Sequence, residues 1–326
     1  MATIRRCFAW LCIAGASAMF MALPASAQDY PRRPIRLISP SAPGGATDVT
    51  ARIVAERLTQ TLNVPVVVEN KPGATGALAL DLVSKAPPDG YTLMVTFVAA
   101  SVFHPLLNDK LPFNAQKDFT PISQLTLGGN VLVVNAALPV RNVAEFVAYV
   151  KSQPKPPSYG SWGNGSGGHL AGEFLKSLTG IDMVHVPYRS ASALGTDMAG
   201  GHMVLGVLDT TNALTHTRTG KVRALAVTGP ARSRSMPDVP TLVEQGIAYS
   251  AGIWTGIVGP ANMPKPIVDK LNAEIARILR EPEVRERFLT LAGDYPVTGT
   301  PAEFDKIIRD DFVLWKRIIA DARITM

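Results

Sequence analysis

The chain has 326 residues, with 32 Lys and Arg against 26 Asp and Glu and a formal net charge of +6. That length supports two domains with cores of their own. The positive charge is scattered, without a Lys/Arg tract interleaved with aromatics, which argues against nucleic-acid binding.

In chain order, Arg5 and Arg6 precede an apolar run from Phe8 to Leu23 that ends in Ala25-Ser26-Ala27. A charged start, a short hydrophobic middle and an A-x-A site describe a secretory signal peptide, residues 1–27, cleaved after Ala27. No later segment supplies the run of about eighteen apolar residues that a membrane span needs. Both cysteines, Cys7 and Cys12, fall inside the signal. The mature chain is therefore expected to carry no disulfide, no Cys-ligated metal and no lipidated cysteine. This fits an unanchored protein of a bacterial periplasm.

Residues Ile35 to Leu62 then read as strand, glycine turn and helix. IRLIS is apolar, PSAPGGATD turns, and Val49, Ile53, Leu58 and Leu62 fall on one side of a helix. Thr47 and Asp48 are N-cap types, and Gly44 and Gly45 allow close backbone approach. Such a unit aims unpaired N–H groups and the positive end of a helix dipole at one point, the outline of a small-anion site. A Walker-type phosphate loop is excluded, because no Gly-Lys-Ser/Thr follows.

Val64 to Asn70 is nearly all β-branched and reads as a buried parallel strand. Thr75-Gly76 caps a helix to Lys85, which Pro87-Pro88-Asp89-Gly90 stops. Tyr91 to Val98 is a third strand. The plan then repeats. Val131 to Asn135 is a strand, and Asn142 with Glu145 starts a helix as a capping box. Tyr159-Gly160-Ser161 leads through WGNGSGGH into a helix from His169 to Leu178. Met183 to Tyr188, Met203 to Asp209 and Val222 to Thr228 are strands, with a helix between the first two from Ser190 to Ala199. Trp254 to Val258 is a strand, and helices follow over Ile267 to Arg280, Glu283 to Leu291 and Ala302 to Ile319. Alternating strands and helices in two sets imply two α/β lobes with a cleft where strand ends and helix N-termini converge.

Gly163, Gly165 and Gly168 satisfy G-x-G-x-x-G, with Asp182 at a suitable distance. The preceding strand is weak and half polar, and an exported protein meets no dinucleotide pool, so the match reads as coincidence. Neither Ser161 nor Ser166 has the flanking glycines of a nucleophile elbow. His169, at a helix start, is placed to orient the loop before it. His104, His185, His202 and His216 show no compact ligand spacing, so no metal is expected. Asp209 either faces the cleft or caps the next helix. SAPGGATD, GATGAL and WGNGSGGH all lack Lys and Arg, so an anion here would be held by amides, hydroxyls, dipoles and water.

Taken together, YPRRPIRLISPSAPGGATD, VVVENKPGATGALA, PPDGYTL, DFTPIS, YGSWGNGSGGHLAGE, HVPYRS, GKVRALAVTGPARS, DVPTLVEQG and WTGIVGP resemble the tripartite tricarboxylate transporter receptor (Bug) family of extracytoplasmic solute-binding proteins. The resemblance spans nearly all of the mature chain. It implies a type II periplasmic-binding-protein fold, each lobe a doubly wound sheet flanked by helices. One lobe would take residues 28–125 and 229–326, the other 126–228, with crossings near Leu125 and Thr228. It further implies a monomer that captures a small organic carboxylate without catalysis or cofactor and delivers it to membrane permease subunits. Ligand contacts would come from Ser41, Gly44, Gly45, Asp48, Thr75 and Gly76 in one lobe, and from Ser161, Asn164, Gly165, Ser166, Tyr188 and Asp209 in the other. Two positions depart from the family pattern: Ser41 stands where an aromatic is usual, and Ser190 where glycine is usual. Two other functions remain open from the sequence. One is a sensory receptor presenting ligand to a membrane kinase; the other is an exported hydrolase using Ser161 or Ser166 with His169.

Overall fold

A computed structural model describes residues 30–249, 251–292, 295–321 and 323–324. The expected signal peptide, with Cys7 and Cys12, lies outside the described residues. No described helix is long and apolar enough to cross a membrane.

Strands β1 (Ile35–Ser39), β2 (Val66–Asn70) and β3 (Thr92–Phe97) are linked by helices α1 (Ala46–Leu62) and α2 (Ala77–Ser84). Both β2 and β3 pair parallel to β1. The α1 face that the periodicity marks is the one buried, with Ile53 and Leu58 each 1% exposed. The helix stops at Asn63, whose φ of 54° is the left-handed conformation that ends helices. β2 departs from expectation. It is the last strand of its sheet, and Val67 is 48% exposed. Its β-branched run suits any pleated surface, edge or centre, so composition alone did not place it.

The chain continues through a π-helical turn, Ala99–Phe103, into the short α3 (His104–Leu107) and then β4 (Phe119–Gly128). The sequence reading has neither the turn nor β4. Pro121, Ser123 and Gln124 interrupt the apolar pattern of β4, although Ile122 through Thr126 are buried. The second sheet takes β5 (Val131–Asn135), β6 (Ser158–Ser161), β7 (Val184–Pro187), β8 (Leu205–Leu208) and β9 (Val222–Val227). Its helices are α4 (Val143–Ser152), α5 (Gly167–Thr179), α6 (Ala191–Gly200) and α7 (Thr210–Thr217). Asn142 caps α4 by accepting from the Glu145 N–H at 2.8 Å, and Glu145 reaches back to the Arg141 N–H, a variant of the expected capping box. The chain returns to the first sheet with β10 (Ile253–Pro260) and β11 (Tyr295–Pro296), separated by α8 (Lys265–Ile278) and α9 (Pro282–Arg287); α10 (Pro301–Asp321) follows.

The strand orders are β11-β4-β10-β3-β1-β2 and β7-β6-β8-β5-β9. Strands before Gly128 and after Ile253 thus share one sheet, and those between share the other. The segment after Thr228 does not cross at once: Val227 N–H donates to Pro240 O and Leu242 N–H to Val227 O, both at 2.9 Å. Where the chain passes between sheets, glycines let backbones touch. A Cβ on Gly129 would lie 2.3 Å from Gly229 N.

Direction decides where function can sit. β10 is antiparallel to β3 and β4, with Thr255 opposite Phe97 and Ile253 opposite Gly128. The crossing therefore leaves the first sheet at the edge where β1 and β3 end. In the second sheet, β5 is antiparallel to β8, with Val131 opposite Leu208, and β8 is parallel to β6. The crossing arrives where β6 and β8 end. The carboxyl ends of both sets of parallel strands, with their glycine loops, share the side of the connection between sheets. This is where ligands collect in open α/β sheets. On the apolar side, Trp315 of α10 packs on Phe103 and on Phe174 of α5, with centroids 4.4 and 6.4 Å apart, joining the two halves.

Candidate functional site

The first loop is braced from within. Gly45, not Thr47 or Asp48, is the N-cap of α1, in extended backbone and without a side-chain cap. Asp48 instead sits on the third helical residue and reaches back. It accepts from the Gly44 N–H at 2.8 Å, from Asn70 Nδ2 at 2.7 Å and from Arg52 Nε at 2.9 Å. Burial raises its pKa, but these three donors win and hold the carboxyl below its ordinary range. Ser41 Oγ accepts from Thr47 Oγ1 at 2.7 Å and from the Asp48 N–H at 3.1 Å. Of the expected contacts, Gly44 and Gly45 thus spend their amides inside the loop, the latter on Ala42 O. Moving the cap to Gly45 leaves Ala46 and Thr47 as the first helical residues, whose N–H groups have no intrahelical acceptor. Residue type marks Thr47 and Asp48 as caps, which hides this pair, since the cap is Gly45.

The second loop is bent hard. Gly73, Ala74, Thr75 and Gly76 have φ of 133°, 46°, 51° and 89° in succession. For Ala74 and Thr75 this costs on the order of 1–2 kcal/mol each. Thr75 is exposed, while Gly76 is buried and caps α2; a Cβ there would come within 2.9 Å of Ala100 Cβ.

In the second sheet Ser161 plays the part of Ser41. It ends β6, is fully buried, and its Oγ lies 2.7 Å from His185 Nε2 and 3.3 Å from Ser166 Oγ. Ser166 caps α5, accepting from the His169 N–H at 3.2 Å. His169 Nδ1 accepts from the Gly165 N–H at 3.1 Å, so this histidine does orient the loop before it. The His169 and His185 rings stack 3.9 Å apart. Burial, then His169 and Lys176, push the His185 pKa down to about 4; burial lowers His169 as well. Asn164 is exposed at the loop tip, and Gly167 and Gly168 begin the helix. Gly168 is required by packing, since a Cβ would lie 2.6 Å from the Trp162 ring.

This geometry weakens the hydrolase reading. The serine meets His185 rather than His169, it is 0% exposed, and among the described residues His185 has no carboxylate partner. Tyr188 and Asp209 are also occupied. Tyr188 Oη donates to Asp197 at 2.9 Å, and Asp209 caps α7, accepting from the Asn212 N–H at 2.9 Å. The cap is one of the two roles that the sequence leaves open for Asp209. Among the described residues no group of three or more His, Cys, Asp or Glu could hold a metal.

One residue without any sequence signal lies against the start of α5. Asn130, in the crossing before β5, is 1% exposed and its Oδ1 has no partner among the described residues. Its Nδ2 lies 3.0 Å from where a Gly167 Cβ would stand, against the start of α5. Nothing in Gly128-Gly129-Asn130 marks it, because only the crossing brings it there.

Residues 50–324 match the model of the tripartite tricarboxylate transporter family receptor. Protein BugT of Bordetella pertussis is 33% identical over 303 residues, covering 92% of this chain and 93% of that protein. Two solved structures are similar throughout. Rpa4515 of R. palustris with adipate is 29% identical with a TM-score of 0.81, over 91% of this chain and 99% of that one. MatC (Rpa3494) from Rhodopseudomonas palustris with bound malate is 30% identical with a TM-score of 0.75, over 89% and 100%. The chain belongs to the tripartite tricarboxylate transporter receptor (Bug) family of solute-binding proteins.

Proposed function

We propose that this receptor is exported to the periplasm, closes its two lobes on a small organic carboxylate without chemistry, and hands it to membrane permease subunits. The observation that carries the reading is the shared edge: the loops after β1, β2, β6 and β8 all lie at the side where the sheets connect. There the amides of Ala46, Thr47, Gly167 and Gly168 begin helices and lack intrahelical acceptors. The relatives' adipate and malate are the ligand class such amides suit. Ser41, Gly44, Gly45, Asp48, Thr75 and Gly76 would shape one wall. Ser161, Asn164, Gly165, Ser166, Tyr188 and Asp209 would shape the other, with Asn130 at the back. We place the lobe boundaries at the glycine crossings, 128–130 and 229–252.

The test is a thermal-shift screen of the protein lacking residues 1–27 against mono-, di- and tricarboxylates, followed by calorimetry. A ligand at 100 times its Kd adds about 2.7 kcal/mol and visibly raises Tm. Binding without turnover supports a receptor. Turnover of a carboxylate ester that is lost in Ser161→Ala would replace this reading with a hydrolase.

A further inference from the structure

Two stacked rings tie down residues 163–166, the loop before α5. The Gly165 N–H donates to His169 Nδ1 at 3.1 Å, and His185 Nε2 lies 2.7 Å from Ser161 Oγ at the end of β6. The ring planes are 16° from parallel. Gly163 and Gly165 take φ of 124° and 68°, so without the tie two glycines leave this loop wide freedom.

The tie is conditional on charge. His169 Nδ1 accepts, so the proton of the neutral ring sits on Nε2. A second proton has Nδ1 as its place, where it would point at the Gly165 N–H, donor against donor. The bond that holds the loop is then replaced by repulsion. His185 behaves differently. Its Nε2 can accept from the Ser161 hydroxyl or donate to it, since that hydroxyl can turn its own proton to Gly163 O at 3.2 Å. A charge on His185 leaves its contact standing; a charge on His169 breaks one.

The surroundings favour the neutral pair. The titratable groups around it are Tyr159 of β6, Glu173 and Lys176 of α5 and, beyond Lys176, Asp182. Glu173 accepts from Tyr159 Oη at 2.8 Å and pairs with Lys176 at 2.9 Å, so the carboxylate that could steady an imidazolium is already engaged. Burial lowers His169 more than Glu173 raises it, and Lys176 adds to the burial. Burial also lowers His185, and a charge on His169 pushes it down further, so the first proton goes to His169.

We infer that His169 is a positioning residue and an acid-sensitive latch: neutral, it holds residues 163–166 in the form that meets a ligand, and a proton on Nδ1 releases them. The effect of release on affinity rests on the receptor reading above; the release itself does not.

The test is NMR of the 15N-labelled protein lacking residues 1–27, following the Gly165 amide and the His169 ring from pH 7.5 to 3.5, with far-UV dichroism reporting the fold. In wild type the Gly165 resonance should move with the ring titration while the dichroism stays constant. His169→Asn places Oδ1 where Nδ1 stands, an acceptor that takes no proton, and its Gly165 resonance should not titrate. A wild-type Gly165 resonance that ignores the ring, that moves equally in His169→Asn, or that moves only as the whole chain unfolds would overturn the latch. Calorimetry with adipate and malate as probes reads the consequence. The Kd of wild type divided by that of His169→Asn cancels protonation of the probe, and it should rise in acid with the fraction of loop released. A ratio constant across pH would overturn the role in binding. No binding by wild type at 10 mM would count against the receptor reading instead, and the Gly165 resonance would still decide the latch.

Discussion

The Gly44 N–H donates to the Asp48 carboxylate at 2.8 Å, so the N-terminus of α1 already holds a negative charge of its own before any ligand arrives. Asn70 and Arg52 complete the brace. Asp48→Ala leaves the Asn70 amide and the Gly44 N–H without their acceptor and is expected to cost about 1–3 kcal/mol in urea unfolding at pH 7. The folded carboxyl titrates below its unfolded value, so its contribution is present above about pH 4 and is lost as pH falls through the lower folded pKa. The gap between wild type and Asp48→Ala should therefore narrow in acid. An equal gap at pH 3 and pH 7 would mean that the charge contributes nothing.

Gly45→Val separates binding from folding. Gly45 has an ordinary φ of −71°, so a side chain there meets no backbone strain. It meets Ser41 instead, whose Cβ and Oγ would both lie 2.9 Å from the new Cβ. Ser41 must move, and it organises Thr47 and the Asp48 N–H. Carboxylate affinity is expected to fall at least tenfold while far-UV dichroism stays unchanged. Wild-type affinity in this variant would remove the first loop from the site.

Local residue chemistry carried most of the elements and the glycine loops, because turn types and helical periodicity are local properties. It failed where tertiary placement decides. The β-branched run of β2 reads the same at the edge of a sheet as at its centre. Asp48 has the residue type of an N-cap and sits three positions beyond the cap, because Gly45 can take the extended cap conformation with Ser41 packed behind it. His169 was legible, since a histidine four residues after Gly165 on a new helix can reach back. Its stacking on His185 was not, as that needs β6 and β7 paired. Asn130 had no signal at all.

The glycines of the crossing make a stability prediction independent of ligand. Gly129→Ala puts a Cβ 2.3 Å from Gly229 N and 2.8 Å from Gly229 Cα, backbone atoms that cannot swing aside as a side chain would. The Gly129 carbonyl also accepts from Thr210 Oγ1 at 2.9 Å, which ties the crossing to α7. Overpacking of this kind costs about 1–3 kcal/mol. Gly220→Ala is the control for glycine content, since open space surrounds that position, although its φ of 71° carries its own strain. A Gly129→Ala variant no less stable than Gly220→Ala would show that the crossing backbones are free to separate.

Two partly buried groups tilt stability with pH in opposite directions. His185 is held down to about pKa 4, so the unfolded chain takes up its proton first, near pH 6.5, and stability is lost as pH falls from there toward 4. Asp311 accepts from Trp254 Nε1 at 2.6 Å, yet burial and the neighbouring Asp310 raise it to about 6. Its unfolded form ionises near 3.8, so its contribution is complete below that pH and is lost as pH rises toward 6. Between pH 4 and 6 the two slopes oppose each other, each at most about 1.4 kcal/mol per pH unit. Wild type can therefore look flat while each group titrates. Asp311→Asn keeps an acceptor for the Trp254 N–H and removes the buried charge. It should be more stable than wild type by about 1–2 kcal/mol at pH 7.5, with the gain gone at pH 4. His185→Gln should lose less stability than wild type between pH 6.5 and 4.5. Urea midpoints measured across pH 4–8 decide both. A gain in Asp311→Asn that persists unchanged at pH 4 would assign it to packing, and curves for His185→Gln parallel to wild type would mean that His185 does not titrate in the folded chain.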